Sequence, residues 1–598
     1  MLLGCKGVQT QDEPGVNAPA QVGIALIGTS DLHGYVEPTT LTVKDAQGVE
    51  HSVRRGGLSL LGGYVDNVRK RMPVVLLDGG DLFQGTLVSN LNEGQAVIDG
   101  YNALGYTAAA IGNHEFDYGP QGPKSVPITE QDDPNGALKA RIAAARFPFL
   151  SANLLDKKIG LPVGWPNLYP SKMVVVAGVP IGLVGALTED TPRTTNVLNL
   201  RDVTVGPIIS AVRAQAQNLR RNGAAAVFLT IHEGAHCRDF SNPRDSKPCE
   251  NEDGRVVPIA RALHDVIDAV VAGHSHAGIA HFVDGVPVIQ AFAYGRAFAR
   301  ADLWFRKTQN GFVLDKSQTR IYPPTEVCSV QVPSPKPGVA AGPKPIQSTC
   351  EVQALSGQTL RPAVYENLPV TDHAGVQLAL EPHIARAAQK KSQALAVSLH
   401  KRLPRQFKAE SPLGQFLADL TQLGATRIAQ EPVDLALQNG GGIRNELPQG
   451  PLTYGHVFEV LPFDNRLALL RMPGQAIIEL FSRNLAGSHG VLIPSTGFTV
   501  ASRCETGLLA VDILGPGGKP IDRQRNYTVA VSDFLALGGD AFGAVLPRLG
   551  PGAVRILEDT SLREVIVEQL RLYQGPFLQS DTMEKRLLLP MPRPVRCK

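Results

Sequence analysis

Five apolar, β-branched runs in the first half of the chain each lead into a short polar cluster, and this repeated punctuation is what most limits the fold. The runs are Gly23 to Ile27, Val74 to Leu77, Ala108 to Ile111, Ala226 to Leu229 and Ala269 to Ala272, and each reads as a buried strand. The clusters are Asp31-Leu32-His33, Gly79-Gly80-Asp81, Gly112-Asn113-His114-Glu115, His232-Glu233-Gly234 and Gly273-His274-Ser275-His276. In a layered α/β fold such tips collect at the carboxyl edge of the strands, where loops converge on a site. The spacing of two in Asp31-x-His33 and His274-x-His276 is expected to hold both side chains on one face of an extended chain.

The donor set is carboxylate, imidazole and amide oxygen, with no cysteine. It suits zinc, manganese, iron or cobalt. Asp81 lies between two imidazole-rich groups and is the natural bridge between two divalent ions, which a shared carboxylate holds roughly 3.5–4 Å apart. One competing motif is present: His232-Glu233-Gly234-Ala235-His236 fits H-E-x-x-H. That signature works only on a helix, whereas a strand-like run enters His232 and Gly234 opposes helix continuation. His236 is therefore expected not to bind metal.

Taken together, the clusters resemble the 5′-nucleotidase family of calcineurin-like metallophosphoesterases, over about Val22 to Leu549. The resemblance implies an α/β protein: a four-layer α/β/β/α metallophosphoesterase domain followed by a separate α/β substrate-binding domain. It implies two divalent metal ions, one on Asp31, His33, Asp81 and His276, the other on Asp81, Asn113, His232 and His274. His114 and Asp117 match the family's catalytic pair. In the second half, Asn439-Gly440-Gly441-Gly442-Ile443-Arg444 follows a strand-like run. Its glycines allow close backbone approach and positive φ, and Arg444 offers a planar fork for phosphate. By resemblance this stretch, with Asn439, Gly441 and Arg444, contacts the nucleotide. Phe463 and Phe534 sandwich the base, Asn465 lies in the same Leu-Pro-Phe-Asp-Asn segment, and Asp540 binds ribose hydroxyls. The family's additional arginine before Ser411-Pro412-Leu413-Gly414 has no clear counterpart here, with Arg405 and Lys408 both nearby.

The implied activity is hydrolysis of nucleoside 5′-monophosphates, with nucleotide sugars as further candidates. Related readings are a 2′,3′-cyclic nucleotide phosphodiesterase with 3′-nucleotidase activity, a thiosulfohydrolase, and a nucleotide-binding surface lipoprotein without turnover. A net charge of +3 over 598 residues argues against a nucleic-acid polymer as partner.

Composition also marks the organisation. A proline-rich stretch from Tyr322 to Thr349 reads as a linker, giving a leader or tether at 1–21, a first domain at 22–322, a linker and hinge at 323–375 and a second domain at 376–598. Helical character from Val376 to Ala396 opens the second domain, and hinge behaviour is expected near 370–378. Leu2-Leu3-Gly4-Cys5 resembles the end of a bacterial lipoprotein signal, so Cys5 is a candidate lipid anchor. The charged segment and the apolar stretch of roughly 7–15 residues that a signal peptide needs are missing, which reads as a truncated start. Six further cysteines allow fifteen pairings. Cys237 with Cys249 and Cys328 with Cys350 would close short loops, and Cys504 with Cys597 would tie down the tail. Disulfides imply an oxidising compartment, periplasm or cell surface. The sequence leaves the oligomeric state open.

Overall fold

The computed structural model describes residues 21–122, 124–250, 254–332, 349–572 and 584–597. The N-terminal leader with Cys5, and most of the proline-rich stretch, lie outside the described residues.

The first domain begins with β1 (Gln21–Thr29), then α1 (Leu58–Arg69), β2 (Val74–Asp78), α2 (Gln95–Leu104) and β3 (Ala108–Ala110). These three strands run parallel side by side. A second sheet takes β4 (Val179–Leu187), then α3 (Ile208–Arg221), β5 (Ala226–His232), α4 (Val256–Leu263), β6 (Ala269–Val271) and β7 (Val286–Ala291). From β4 through β7 its strands are again parallel. The chain then returns to the first sheet through β8 (Ala297–Thr308), antiparallel to β1, and closes with β9 (Arg320–Glu326) on β8.

Strand periodicity explains the layers. Ile24 and Leu26 pack with Leu183, Phe228 and Val271 between the two sheets, while Ala25 and Ile27 turn outward to a core that includes Leu61 and Val65 of α1. On the other side, Val212 and Ala216 of α3 cover Val227 and Leu229. Both faces of each sheet are buried, which is why the strands read as unbroken apolar runs. The order of layers is α/β/β/α.

Pro323 and Pro324, read from the sequence as the start of a linker, belong to β9. They are tolerated because β9 pairs on one side only, with β8, and needs no second row of donors.

After the linker come α5 (Ala374–Lys391), α6 (Pro412–Ala429), β10 (Leu435–Asn439), β11 (Arg466–Pro473) and β12 (Asn526–Ser532). The last three are the centre of a separate five-stranded mixed sheet, with β10 and β12 parallel and β11 antiparallel to β12. Helix α5, expected to open this second domain, lies against the first. Its Val376 and Leu380 share a core with Leu58 and Leu104, and His383 Nε2 meets Asp99 at 2.8 Å. Just before it, Asp372 accepts from Arg54 at 2.8 Å and from Ser59 at 2.9 Å. Asp372, inside the segment expected to act as hinge, thus makes its side-chain contacts with the first domain.

Candidate metal centre and nucleotide pocket

The tips of β1, β2, β3, β5 and β6 converge on two overlapping donor groups. Asp31, His33, Asp81 and His276 form one; Asp81, His232 and His274 form the other, and within each group the donor atoms lie within 4.8 Å of one another. Asn113 joins the second group through Oδ1, 3.0 Å from His232 Nε2. Asp81 is common to both.

Hydrogen bonding fixes what these rings offer. His33 Nδ1 lies 2.8 Å from the Gln84 carbonyl and His232 Nδ1 lies 2.8 Å from the Gly79 carbonyl. A carbonyl only accepts, so both Nδ1 atoms carry a proton and each ring, in its neutral form, presents a lone pair at Nε2. The His232 lone pair faces Asn113 Oδ1 and, at 3.1 Å, an oxygen of Asp81. The His33 Nε2 faces His276 Nε2 at 3.0 Å, and that atom is 3.5 Å from Asp31. Acceptors aimed at one another in a buried space repel unless a cation stands among them. This donor set therefore fits divalent ions.

Buried charge gives the same sign. Burial raises the Asp31 carboxyl to about 8, with the Asp81 charge adding to the effect. Burial lowers His274 to about 3 and His276 to about 4. His232 differs: burial opposes its charge, but Asp81 outweighs it and pushes the ring up to about 10, so a proton takes the place of the cation between His232 Nε2 and Asp81.

The backbone here is turned, not extended. Asp31, His33, Asp81, His274 and His276 all have positive φ, between 49° and 73°. The spacing of two therefore does not work through an extended strand: each pair sits in a left-handed turn, and His274 and His276 go to different donor groups. Such conformations cost about 1–3 kcal/mol per residue and persist only where the surroundings impose them. Here the imposing contacts are visible. Asp31 N–H donates to Gly80 O at 2.9 Å and His33 N–H to Asp81 O at 3.0 Å. The Asp31 carboxylate accepts the His274 N–H at 2.9 Å.

Glu115, to which the sequence assigned no role, accepts three backbone N–H groups: Asp81 at 2.9 Å, Leu82 at 2.6 Å and Gly112 at 2.6 Å. It staples the β2 turn to the β3 turn. Gly112 is required for that approach, because a Cβ there would come within 2.2 Å of Asp81 Oδ1. The signal available in the sequence was the acidic residue inside Gly-Asn-His-Glu, with nothing to say that it points inward.

His114 Nδ1 lies 2.6 Å from Asp117 Oδ2, and Thr195 donates to the other Asp117 oxygen at 2.9 Å. Burial works against charge on this imidazole, yet Asp117 and Asp81 outweigh it and push the ring up to about 9. The zinc-protease geometry is absent. His232 ends a strand, the Glu233 carboxylate is taken by Thr188 at 2.8 Å and by Arg255 at 3.4 Å, and His236 is exposed.

A cavity of about 210 Å³ opens from His114 toward the second domain. Asp117, Asn439, Gly441, Arg444, Phe463, Asn465, Phe534 and Asp540 all line it with His114. Asn439 Nδ2 donates to Asp540 at 2.8 Å. Gly539 has no room for a side chain, since a Cβ would stand 2.4 Å from the Phe534 ring. The glycine triplet serves closeness alone: Gly440, Gly441 and Gly442 are not among the residues of positive φ, while a Cβ at Gly440 would lie 2.6 Å from Phe407 O. Of the two basic residues left open by the sequence, Arg405 is the one beside Arg444, 3.5 Å from its carbonyl. Gln84 and Asn90 of the first domain donate to Pro462 O at 3.3 and 3.1 Å, next to Phe463.

The sheets, the donor groups and the facing second domain together define a metal-dependent phosphoesterase. Residues 24–278 match the model of the calcineurin-like phosphoesterase family, and residues 387–547 match that of the 5′-nucleotidase C-terminal domain. The chain belongs to the 5′-nucleotidase family of calcineurin-like phosphoesterases, hydrolases acting on phosphate esters. It is similar to Protein UshA of Yersinia enterocolitica, 25% identical over 87% of this chain and 86% of that one. It is also 25% identical to Endonuclease YhcR of Bacillus subtilis over 95% of this chain, but spans only 41% of that protein's length. Among solved structures, the 5′-nucleotidase precursor from Thermus thermophilus has the same fold, with a TM-score of 0.65, 23% identity, and coverage of 95% of this chain and 100% of that one.

All three disulfides expected from the sequence are present: Cys237–Cys249, Cys328–Cys350 and Cys504–Cys597. Among the described residues no helix is long and apolar enough to cross a membrane.

Proposed function

We propose that the chain releases phosphate from nucleoside 5′-monophosphates with two divalent ions, zinc, manganese, cobalt or iron. Asp31, His33, Asp81 and His276 would hold one, and Asp81, Asn113, His232 and His274 the other. Such ions supply an activated water and neutralise phosphate oxygens. One observation carries the reading: a single cavity is lined by the His114–Asp117 pair from one domain and by Phe463, Phe534 and Asp540 from the other.

The remaining work falls to the chain itself. Asp117 holds the Nδ1 proton of His114, so the opposite nitrogen of the charged ring donates to a phosphate oxygen or to the departing nucleoside oxygen. Arg444 grips the phosphate as a planar fork. Phe463 and Phe534 hold the base by stacking, which contributes about 1–3 kcal/mol per base and tolerates different bases. Asp540, oriented by Asn439, accepts from ribose hydroxyls. Working in the periplasm or at the cell surface accords with the three disulfides.

Phosphate release from 5′-AMP, 3′-AMP, 2′,3′-cyclic AMP and an aryl phosphate, with Mn²⁺, Zn²⁺ or chelator, tests the reading beside Asp81→Asn. Metal-dependent release from 5′-AMP, lost in the variant, is expected. Activity confined to 3′-AMP and the cyclic substrate would replace this reading with the phosphodiesterase one.

A further inference from the structure

Beyond the turn that carries His232, the chain leaves the metal centre and makes a loop closed by Cys237 and Cys249. The strand Gly278–Val283, paired with β7, brings His281 against this loop. Cys237 Sγ, Cys249 Sγ and a ring nitrogen of His281 lie within 4.8 Å of one another. None of the three belongs to the donor groups described above.

The cluster has the spacing of a metal site. Cys249 and His281 are buried, at 0% and 1% exposure, and His281 Nδ1 stands 3.3 Å from Cys249 Sγ. Around a tetrahedral zinc ion, with bonds of about 2.3 Å to sulfur and about 2.0–2.1 Å to nitrogen, two such donors stand roughly 3.5 Å apart. The other ring nitrogen, Nε2, is buried with no hydrogen-bond partner, and the sulfur facing Nδ1 is a weak acceptor. A buried imidazole so poorly paired is costly, and a metal bond at Nδ1 would offset that cost. The carboxylates of Asp239 and Asp245, both in the loop, favour positive charge at the ring.

The arrangement does not depend on the bond between the sulfurs. Arg238 N–H donates to Pro248 O at 3.3 Å, just inside the two cysteines, and Cys249 N–H donates to Ser246 O at 2.9 Å. Phe282 N–H donates to Pro243 O at 2.6 Å and fastens the loop to the strand of His281. Reduced thiols would therefore stay beside the imidazole. Cys237 is half-buried and gives a reductant access.

We propose that Cys237, Cys249 and His281 form a redox-gated zinc site, shut as a disulfide and open to the ion once the pair is reduced. A dithiol supplies two electrons and two protons. The bond between Cys237 and Cys249 breaks, each sulfur takes a proton, and the dithiol becomes a disulfide. Zn²⁺ then displaces both thiol protons to solvent and binds two thiolates and the neutral imidazole. Sulfur donors set this site apart from the groups around Asp81 and select zinc over magnesium or calcium.

Cobalt reads this site separately, because thiolate-to-cobalt charge transfer absorbs in the near ultraviolet and oxygen or imidazole donors give no such band. The whole chain is reduced, freed of reductant without air, and titrated with Co²⁺ and then Zn²⁺. The band is expected in the reduced wild type, absent from the oxidised protein and from Cys249→Ser, and bleached by zinc. His281→Ala should weaken cobalt binding by about 100-fold or more, beyond the effect of losing an outer hydrogen-bond partner. On the reduced wild type, alkylation read by peptide mass spectrometry should show Zn²⁺ protecting Cys237 and Cys249, with labelling of the other cysteines unchanged. No band, a band that survives Cys249→Ser, unchanged cobalt affinity in His281→Ala, or equal alkylation of Cys237 with and without Zn²⁺ would each overturn the site. Alkylation is read on the unaltered protein, so a misfolded variant cannot obscure it.

Discussion

The two halves that meet at the cavity are made differently. On the metal side, Asp31, Asp81, Asn113 and His232 are buried, the turns at Asp31 and Asp81 are strained, and backbone donors and carbonyls hold these groups. On the nucleoside side, Phe463, Asn465, Phe534 and Asp540 are half-buried side chains, the first two on a loop and the last two in short helical turns. The contrast separates chemistry from recognition. The metal side needs donor atoms fixed to a fraction of an ångström, and backbone clamps provide that. The nucleoside side needs surfaces that accept a ligand, so its residues are left partly free.

Breaking the metal side should abolish the reaction. Asp81→Asn removes the shared carboxylate, and turnover should fall by about 10³-fold or more, with metal content measured by mass spectrometry falling alongside. Full metal occupancy with normal turnover would show that Asp81 does not bridge. Next in size is Glu115→Ala. It leaves three buried N–H groups unpaired, at about 1–3 kcal/mol each, and loosens the turn under Asp81. Metal affinity by calorimetry should drop about 10–100-fold, with a lower Tm. An unchanged affinity would confine Glu115 to general stability.

Changes on the nucleoside side should be milder and selective. Phe463→Ala should raise KM for 5′-AMP by about tenfold, from a stacking contribution of about 1–3 kcal/mol, and spare a small aryl phosphate. Equal losses on both substrates would erase the distinction between the halves. Gly539→Ala is the finest probe. Its new Cβ would push the Phe534 ring aside by contact at 2.4 Å, so KM for 5′-AMP should rise several-fold while metal content stays constant. An unchanged KM would remove Phe534 from the base site.

The same contrast explains what could be read in the sequence. The strand runs and their clusters were legible because donor chemistry is written in residue type, and burial on two faces is written in unbroken apolar runs. Left-handed φ at Asp31 or His276 was not, since aspartate and histidine at those positions carry no mark of it. Glu115 pointing inward and Arg405 reaching Arg444 depend on contacts distant in the chain. Composition misled at Pro323 and Pro324, where an edge strand tolerates what a central one would not. Disulfide partners were nominated from short loops and a remainder, an argument that spacing permits but does not force.

The docking of α5 bears on how this chain can be divided. By position the helix belongs with the second half, yet Val376, Leu380 and Ala387 are buried, the first two in a core shared with Leu58 and Leu104. A cut in the proline-rich stretch would leave each fragment with half of a seam: an apolar groove on one, a greasy stripe on the other. The two pieces would be sticky toward each other before either bound a nucleotide, and co-expressed halves should reassemble where separately purified ones precipitate.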